Sequence, residues 1–273
     1  MTTAKLTCQR NDLHAHLSLV SRAVSTRGNN YPILANVRLQ TDAAAGQVTL
    51  TAFDLSLGLQ SRFSAQCDVD SALTLPARLL GDIVARLPEG ELVLEWEIEG
   101  DRVLAVLVSA SGRFELRGLP ADQFPELPEI DSEQATVCLP ARALQEGLGA
   151  TLFAASRDES KQVLAGVHLR HAEGRLEFAA TDGHRLAVMQ TSDTEGSPSE
   201  EFALTLPARA LVELEKMLTL QGAEAPVTLR FDDVQVAFEL GAMRSTARRV
   251  EGSYPAYQQL IPASFERQVT VER

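Results

Sequence analysis

Ile33-Leu34-Ala35-Asn36-Val37-Arg38-Leu39 and Val163-Leu164-Ala165-Gly166-Val167-His168-Leu169 are two copies of one pattern, 130 positions apart. The acid that ends the next apolar run repeats in the same way, as Asp54 and Asp182. A duplication of this length predicts two similar domains in one chain.

A second signature, Leu-Pro-Ala-Arg, occurs at 75–78, 139–142 and 206–209, at intervals of 64 and 67 residues. Each copy opens an apolar pattern of helical spacing. Proline is favoured at the first helical position, because its missing donor would be unpaired there. The signature therefore predicts a strand end followed by a helix start, and two half-size units in each domain.

Two proline-containing segments also correspond, Phe124-Pro125-Glu126-Leu127-Pro128 and Tyr254-Pro255-Ala256-Tyr257. The first lies in 118–132, whose prolines and acids predict an exposed connector. The residues after each segment, 135–139 and 268–272, have the pattern of a strand. We predict an N-terminal domain at 1–119, a central domain at 131–250, and at 251–273 a connector and the first strand of an incomplete C-terminal domain.

The half-unit reads as one strand, one helix and three strands. Alternating apolar positions indicate the strands. Leu13, Leu17, Val20 and Val24 form the apolar stripe of the first helix, with Asn11 as its predicted cap. Eight strands and two helices per domain predict an α+β fold, with helices on one face of antiparallel sheets.

Composition limits the classes of protein that fit. No apolar run approaches the roughly 20 residues that span a bilayer, and the N-terminus has no signal-peptide pattern, which predicts a cytoplasmic protein without membrane contact. Cys8, Cys67 and Cys138 are far apart and in no ligand spacing. We expect three buried thiols, and neither a disulfide framework nor a metal site.

The net charge of −12 argues against a nucleic-acid partner on average. The positive charge is nevertheless almost all arginine, which binds phosphate well. Arg78, Arg142 and Arg209 lie in the first helical turn, where the helix dipole favours an acid by about 0.3 to 1 kcal/mol. An anion beside each helix start would account for them, and DNA phosphate is the obvious repeating anion.

Two alternatives to a phosphate role for these arginines stay open. High arginine usage is typical of a GC-rich genome. Local ion pairs, Arg78 with Asp82 and Arg209 with Glu213, are the alternative at the level of single residues. Arg86 and Lys216 fall on the same helix faces as Arg78 and Arg209, so their spacing favours a basic surface.

The string Thr181-Asp182-Gly183-His184-Arg185-Leu186-Ala187 contains a strong hairpin signal, Asp-Gly. Asp182 and His184 also suggest acid–base chemistry. However, no nucleophile, phosphate loop or metal-spaced partner accompanies them. We therefore favour a structural turn and keep an enzyme using these two residues as the weaker alternative.

The string from Ala180 to Ala187, the segment 32–39, the Leu-Pro-Ala-Arg helices and Tyr254-Pro255-Ala256-Tyr257 resemble the bacterial DNA polymerase III beta sliding clamp family. The resemblance covers essentially the whole chain. It implies domains of one fold arranged in a ring, with helices lining the hole and sheets outside. The implied function is that of a non-catalytic processivity factor, without a cofactor or metal, that encircles duplex DNA during replication.

The resemblance also implies partners and sites. Family members close the ring as a head-to-tail homodimer, and the polymerase III catalytic subunit, the clamp loader and repair polymerases insert a short peptide into a hydrophobic cleft. The implied cleft positions are Leu164, Thr181, Gly183, His184, Arg185, Leu186, Pro255 and Leu260. The implied DNA-binding positions are Arg27, Arg78, Arg142, Arg209 and Lys216.

Two alternatives to this assembly remain. A ring of three two-domain subunits, as in eukaryotic clamps, would keep the clamp function with a different stoichiometry. A fragment or adaptor that does not form a ring would bind partner peptides only.

Overall fold

The structure is a computed structural model that describes residues 2–25, 31–130, 136–158, 160–191, 201–221, 225–262, 264, 267, 269 and 270. These residues form four α-helices and seventeen strands. None of the described helices is long and apolar enough to cross a membrane.

The first half of the chain contains two helices and nine strands. They are β1 (Thr2–Gln9), α1 (Arg10–Val20), β2 (Asn36–Asp42), β3 (Gln47–Phe53), β4 (Leu57–Ser64), β5 (Gln66–Cys67), β6 (Ser71–Pro76), α2 (Ala77–Arg86), β7 (Glu91–Glu99), β8 (Arg102–Ser109) and β9 (Gly112–Pro120).

The second half repeats this order without the short strand β5. Its elements are β10 (Thr136–Pro140), α3 (Ala141–Thr151), β11 (Gly166–Ala172), β12 (Arg175–Thr181), β13 (Leu186–Gln190), β14 (Phe202–Pro207), α4 (Ala208–Gln221), β15 (Pro226–Phe231), β16 (Gln235–Leu240) and β17 (Met243–Arg248). The predicted unit of strand, helix and three strands thus occurs four times, and the α+β class is confirmed.

The Leu-Pro-Ala-Arg signature lies at the boundary it predicts, with one correction. Strands end at Pro76, Pro140 and Pro207, and each helix begins at the following alanine. Proline is therefore the last strand residue rather than the first helical one. Its backbone at Pro76 is extended, with φ −57° and ψ 110°, which the fixed φ of proline permits.

The start of α1 corrects a second prediction. Asn11 is the second residue of the helix rather than its cap, and the flanking Gln9 makes no side-chain cap bond. Pairing with β7 extends to Gln9, and the Arg10 N–H donates to the Gly90 carbonyl at 2.8 Å. Tertiary pairing, rather than a local cap, sets this boundary. Leu13, Leu17 and Val20 are buried as predicted.

The sheets continue from the first half of the chain into the second. β17 pairs antiparallel with β4, from Met243 opposite Ser61 to Ala247 opposite Leu57. The result is a thirteen-stranded sheet, β10-β15-β16-β17-β4-β3-β2-β6-β9-β8-β7-β1-β5, beside a four-stranded sheet, β13-β12-β11-β14. The contact between β4 and β17 is the junction of the two halves.

The connector after β9 is exposed only in part, whereas its prolines and acids predicted an exposed segment: its acids lie at the surface, but some of its apolar side chains are buried. Phe124 and Leu127 are buried and pack with Ile33, Leu34 and Phe53 in a small separate core. A Cβ added at Gly58 of β4 would lie 2.4 Å from Leu127 Cδ2. The connector therefore fills the space beside the junction, which the sequence pattern could not indicate.

The three cysteines are free, and the expectation that all three thiols are buried is wrong. Cys8 is buried, and burial raises the pKa of its thiol to about 12. Cys138 is exposed because the alternation of β10 places Val137 and Leu139 inward. Cys67 is half-buried.

The predicted strand at 268–272 falls mostly outside the described residues. Val269 and Thr270 are described and are not in a strand. The expected start of a third repeat therefore remains a prediction.

Candidate functional site

The helices form one continuous layer across the junction. α1 packs against α2, and α3 packs against α4. Arg22, in the short turn after α1, forms an ion pair with Glu213 of α4. The order across the layer is therefore α2, α1, α4, α3.

Four of the five predicted DNA-binding residues lie on this layer. Arg78 is in the first turn of α2 and Arg142 in that of α3, while Arg209 and Lys216 are on α4. Arg27 lies outside the described residues. The ion pair with Glu213 adds Arg22, which no sequence motif had indicated.

Three of these basic residues have acidic partners. Arg142 Nε lies 2.9 Å from Glu146 Oε1, Arg209 Nη2 lies 2.5 Å from Asp54 Oδ2, and Lys216 Nζ lies 3.2 Å from Glu213 Oε1. Within the described part of the chain, Arg78 is exposed and makes no ion pair.

The two local ion pairs considered from the sequence, Arg78 with Asp82 and Arg209 with Glu213, do not form. Asp82 pairs with Arg86 instead of Arg78, at 3.6 Å. Arg209 reaches across the junction to Asp54, and its Nη1 also donates to Ser56 Oγ at 3.1 Å. The first turn of α4, which carries Arg209, faces the neighbouring domain, so the acidic partner of Arg209 is distant in sequence.

Asp54 serves both its own turn and the junction. Its Oδ1 accepts the N–H groups of Ser56 at 3.0 Å and Leu57 at 2.8 Å, while Oδ2 faces Arg209. Burial alone would raise the pKa of this carboxyl. The hydrogen bonds from Leu57, Ser56 and Arg209 outweigh it and hold the pKa below its usual value.

Asp182, the repeat of Asp54, anchors the second turn in the same way. Its Oδ1 accepts the N–H groups of His184 at 2.9 Å and Arg185 at 3.1 Å, and its Oδ2 accepts from Arg185 Nε at 2.9 Å. These bonds, led by that from His184, lower the pKa of Asp182. Gly183 adopts a left-handed φ of 93°, which glycine permits without strain.

This geometry does not support the alternative of an Asp–His enzyme. Both carboxylate oxygens of Asp182 are used by the turn itself, and the His184 side chain is exposed beside it. Asp182 contacts the backbone of His184 rather than its imidazole. Asp182 and His184 therefore belong to a structural turn between β12 and β13, as the hairpin signal predicts.

The implied cleft residues lie on three segments that hydrogen bonds connect. Thr181 ends β12, Leu186 begins β13, and the turn between these strands carries Gly183, His184 and Arg185. The short helix Gln162–Leu164 carries Leu164, and the connector after β17 carries Pro255 and Leu260. The Thr181 N–H donates to the Tyr254 hydroxyl at 3.0 Å, and Lys161 Nζ donates to the Asp182 carbonyl at 3.3 Å.

The cleft segments present apolar side chains at the surface. Leu164 and Leu186 are half-buried, whereas Leu260 is 68% exposed. Phe153, which no sequence pattern had indicated, is 61% exposed, and the Arg185 guanidinium lies 5.7 Å from its ring centroid. An exposed phenylalanine carries no periodic signal, so it could not be found from spacing.

Two tyrosines fasten the connector to the sheet of the central domain. The ring of Tyr254 stacks on His168 of β11 at 4.9 Å, and the Tyr257 hydroxyl donates to Glu177 of β12. Burial raises the pKa of Tyr254 and lowers that of His168. Pro255 therefore lies between two anchored residues.

Comparisons with known proteins agree with this geometry. The N-terminal domain of the DNA polymerase III beta subunit matches residues 4–128, and the central domain of the same subunit matches residues 138–256. The beta sliding clamp of Synechocystis sp. is 51% identical over 282 residues, which cover 98% of this chain and 72% of the relative. The chain belongs to the beta sliding clamp family.

A second cyanobacterial beta sliding clamp, from Synechococcus elongatus, is 50% identical over 98% of this chain and 70% of its own length. Solved sliding clamps have the same fold. The one from Pseudomonas aeruginosa, bound to griselimycin, is 27% identical with a TM-score of 0.84, covering 97% of this chain and 69% of that one. The clamp of Bacillus subtilis is 28% identical, also with a TM-score of 0.84, over 96% and 69%.

Membership confirms the expected function. A beta sliding clamp is the processivity factor of DNA polymerase III in DNA replication, and it is not a catalyst. The helical layer, which carries the predicted basic residues, and the connector segments with exposed apolar side chains are therefore its candidate binding surfaces.

Replacing Asp54 with Asn should separate its charge from its role in the turn. Asn keeps an acceptor for the N–H groups of Ser56 and Leu57 but loses the charge that faces Arg209. We expect D54N to lower the free energy of unfolding by about 1 kcal/mol at neutral pH, measured by urea denaturation.

The same measurement across pH tests the charge. Because folding lowers the pKa of Asp54, its stabilisation is complete above the ordinary value of 3.8 and is lost as the pH falls through the lower folded value. The difference between wild type and D54N should therefore shrink below about pH 4. A difference that stays constant there would show that Arg209 does not sense this charge.

Proposed function

We propose that the helical layer binds the phosphates of duplex DNA without sequence preference, through Arg78, Arg142, Arg209, Lys216 and Arg27. The observation that carries this proposal is the distribution of charge. The four described members lie on helices of one layer, although the chain has a net charge of −12. Phosphate binding depends on such local positive charge.

The overall acidity supports the same function. A chain that is negative elsewhere repels DNA from its other surfaces and leaves the helical layer as the attractive one. Contacts to phosphates carry no sequence information, so the protein is free to move along the duplex. We place this activity in the cytoplasm, as expected for a replication subunit.

Arg78 gives the direct test of DNA binding, because it is exposed and unpaired among the described residues. R78A should weaken binding of a 30-base-pair duplex. It should also reduce the slope of log affinity against log salt by about 0.9, the value for one phosphate contact. Fluorescence anisotropy at several salt concentrations measures both.

The matched control is R113A, which removes the same charge from β9. Arg113 is exposed, and strand alternation places it opposite the face that buries Leu116. Equal losses of affinity in R78A and R113A would contradict a DNA site on the helices.

We further propose that partner proteins insert a short linear peptide at the cleft residues on the central domain and its connector. These partners are the polymerase III catalytic subunit, the clamp loader and repair polymerases. Support comes from exposed apolar side chains on fixed backbone. Leu260 and Ile261 are 68% and 48% exposed, and the tyrosine contacts anchor the residues before them.

Replacing Leu186 with Asp should abolish binding of a fluorescent peptide that carries the clamp-binding segment of the polymerase III catalytic subunit. The aspartate carboxylate would lose its water on contact with an apolar peptide side chain, and this desolvation opposes binding. Because Leu186 is half-buried, L260D is needed as a second variant, since exposed Leu260 contributes little to the core. L79D, which changes an exposed leucine on α2, is the control.

Thermal unfolding of each variant separates loss of the site from loss of the fold. Full peptide affinity in L186D and L260D, with a native melting temperature, would place the peptide site elsewhere.

The sheet edges support assembly into a ring. β4 accepts β17 across the junction, and β13, which has the same place in the central domain, pairs with β12 alone among the described strands. An open edge of this kind accepts another strand. Family profiles over 4–128 and 138–256 support the proposed domains at 1–119 and 131–250. We propose that copies join head to tail, as in the homodimeric rings of the family.

Light scattering on the purified chain tests self-association. The formula mass is 29.6 kDa. Twice this mass indicates a homodimer, and three times this mass indicates a ring of three two-domain subunits. A native mass equal to the formula mass would contradict self-association of this chain.

A further inference from the structure

We propose that acidic partners on the helical layer limit how tightly this surface holds DNA, and that Glu146 is one such affinity-determining residue. This inference rests on the proposed DNA-binding role of the layer. Because acids pair with some of the arginines, less positive charge is free to bind phosphate than the number of arginines indicates.

The ion pairs divide the basic residues into two groups. Arg142 is held by Glu146, Arg209 by Asp54, and Lys216 by Glu213. The pairs of Arg142 with Glu146 and of Arg209 with Asp54 have no net charge, whereas Glu213 is shared between Lys216 and Arg22. In each case the carboxylate repels a phosphate that approaches the cation. Arg78 is the one described member of the predicted set without an ion pair, so it should contribute most to binding.

The three acids are not equivalent in structural role. Glu213 and Asp54 have side chains only 7% and 11% exposed, and each joins the two halves of the chain, through Arg22 and Arg209. Changing either acid would disturb the junction. They are therefore unsuitable for a test of DNA affinity alone.

Glu146 has no such structural duty. Its side chain is 51% exposed, that of Arg142 is 80% exposed, and both lie on one helix, four residues apart. The hydrogen bond from Arg142 Nε to Glu146 Oε1, at 2.9 Å, raises the pKa of Arg142. The guanidinium is thus fully charged but already engaged, and an exposed pair of this kind contributes little to folding.

Weak binding is consistent with the work of a clamp. A surface that encloses DNA needs enough attraction to align the duplex, and tight capture would oppose sliding. Paired acids give the chain a way to keep arginines at the helix starts while reducing their net attraction.

The test is E146Q, which keeps the size of the side chain and removes its charge. Freeing Arg142 for one phosphate contact should steepen the salt slope by about 0.9, so that the gain in affinity from 200 to 50 mM salt is about 3.5-fold larger than for wild type. E146Q should therefore bind a 30-base-pair duplex more tightly than wild type at low salt. Binding is measured by fluorescence anisotropy on the whole chain.

Two controls decide whether the gain comes from Arg142. E97Q removes the same charge from β7, where Glu97 is exposed and its neighbours Trp96 and Ile98 point the other way. R142A/E146Q, compared with R142A, removes the arginine that would be freed. The gain should be absent from both controls.

The outcomes also separate this inference from the proposed DNA role. If R78A weakens binding while E146Q equals wild type, the DNA role stands and the inference is overturned. An equal gain in E97Q, or a gain that persists without Arg142, also overturns it, since net charge would then be the cause. If neither R78A nor E146Q changes binding, the DNA role itself fails.

Discussion

The antiparallel pairing of β4 with β17 is the contact on which the rest of the architecture depends. It joins two repeats into one sheet and thereby fixes the helices on a common layer. Two ion pairs, Arg209 with Asp54 and Arg22 with Glu213, connect the layer across the same junction. Each ion pair joins one particular side chain of each half, so the two pairs fix how the halves face each other. Strand register positions the backbone, and the charges align α4 with the domain beside it.

Much of this fold could be predicted because the sequence repeats itself. Four copies of one unit, the strand and helix boundaries at Leu-Pro-Ala-Arg, and the turn at Asp182 all follow from local patterns. Contacts between distant residues could not be read in this way. The partner of Arg209 is Asp54, and the boundary of α1 depends on pairing with β7. The burial of Phe124 and Leu127 in the connector was missed because the connector has the composition of a surface loop, while these two side chains fill a space that only the assembled junction creates.

The candidate sites show the same division. Family resemblance indicated the site positions, and local spacing placed the basic ones on helices. The acids that engage them were invisible except for pairs four residues apart, and of the two such pairs suggested, neither formed. His168, Tyr254 and Tyr257 meet only through the return of the connector to β11 and β12. Side-chain partners of this kind depend on tertiary structure and cannot be derived from one sequence.

The two connectors differ in a way that bears on how partner proteins share one clamp. After the first domain, Phe124 and Leu127 turn inward and occupy the hollow beside the junction, whereas after the second domain Leu260 stays at the surface. At the first connector, side chains of the chain itself fill the space. On the proposal that partner peptides bind at the second connector, two partners that need the same residues cannot occupy that site at the same time. One of them must leave before the other binds.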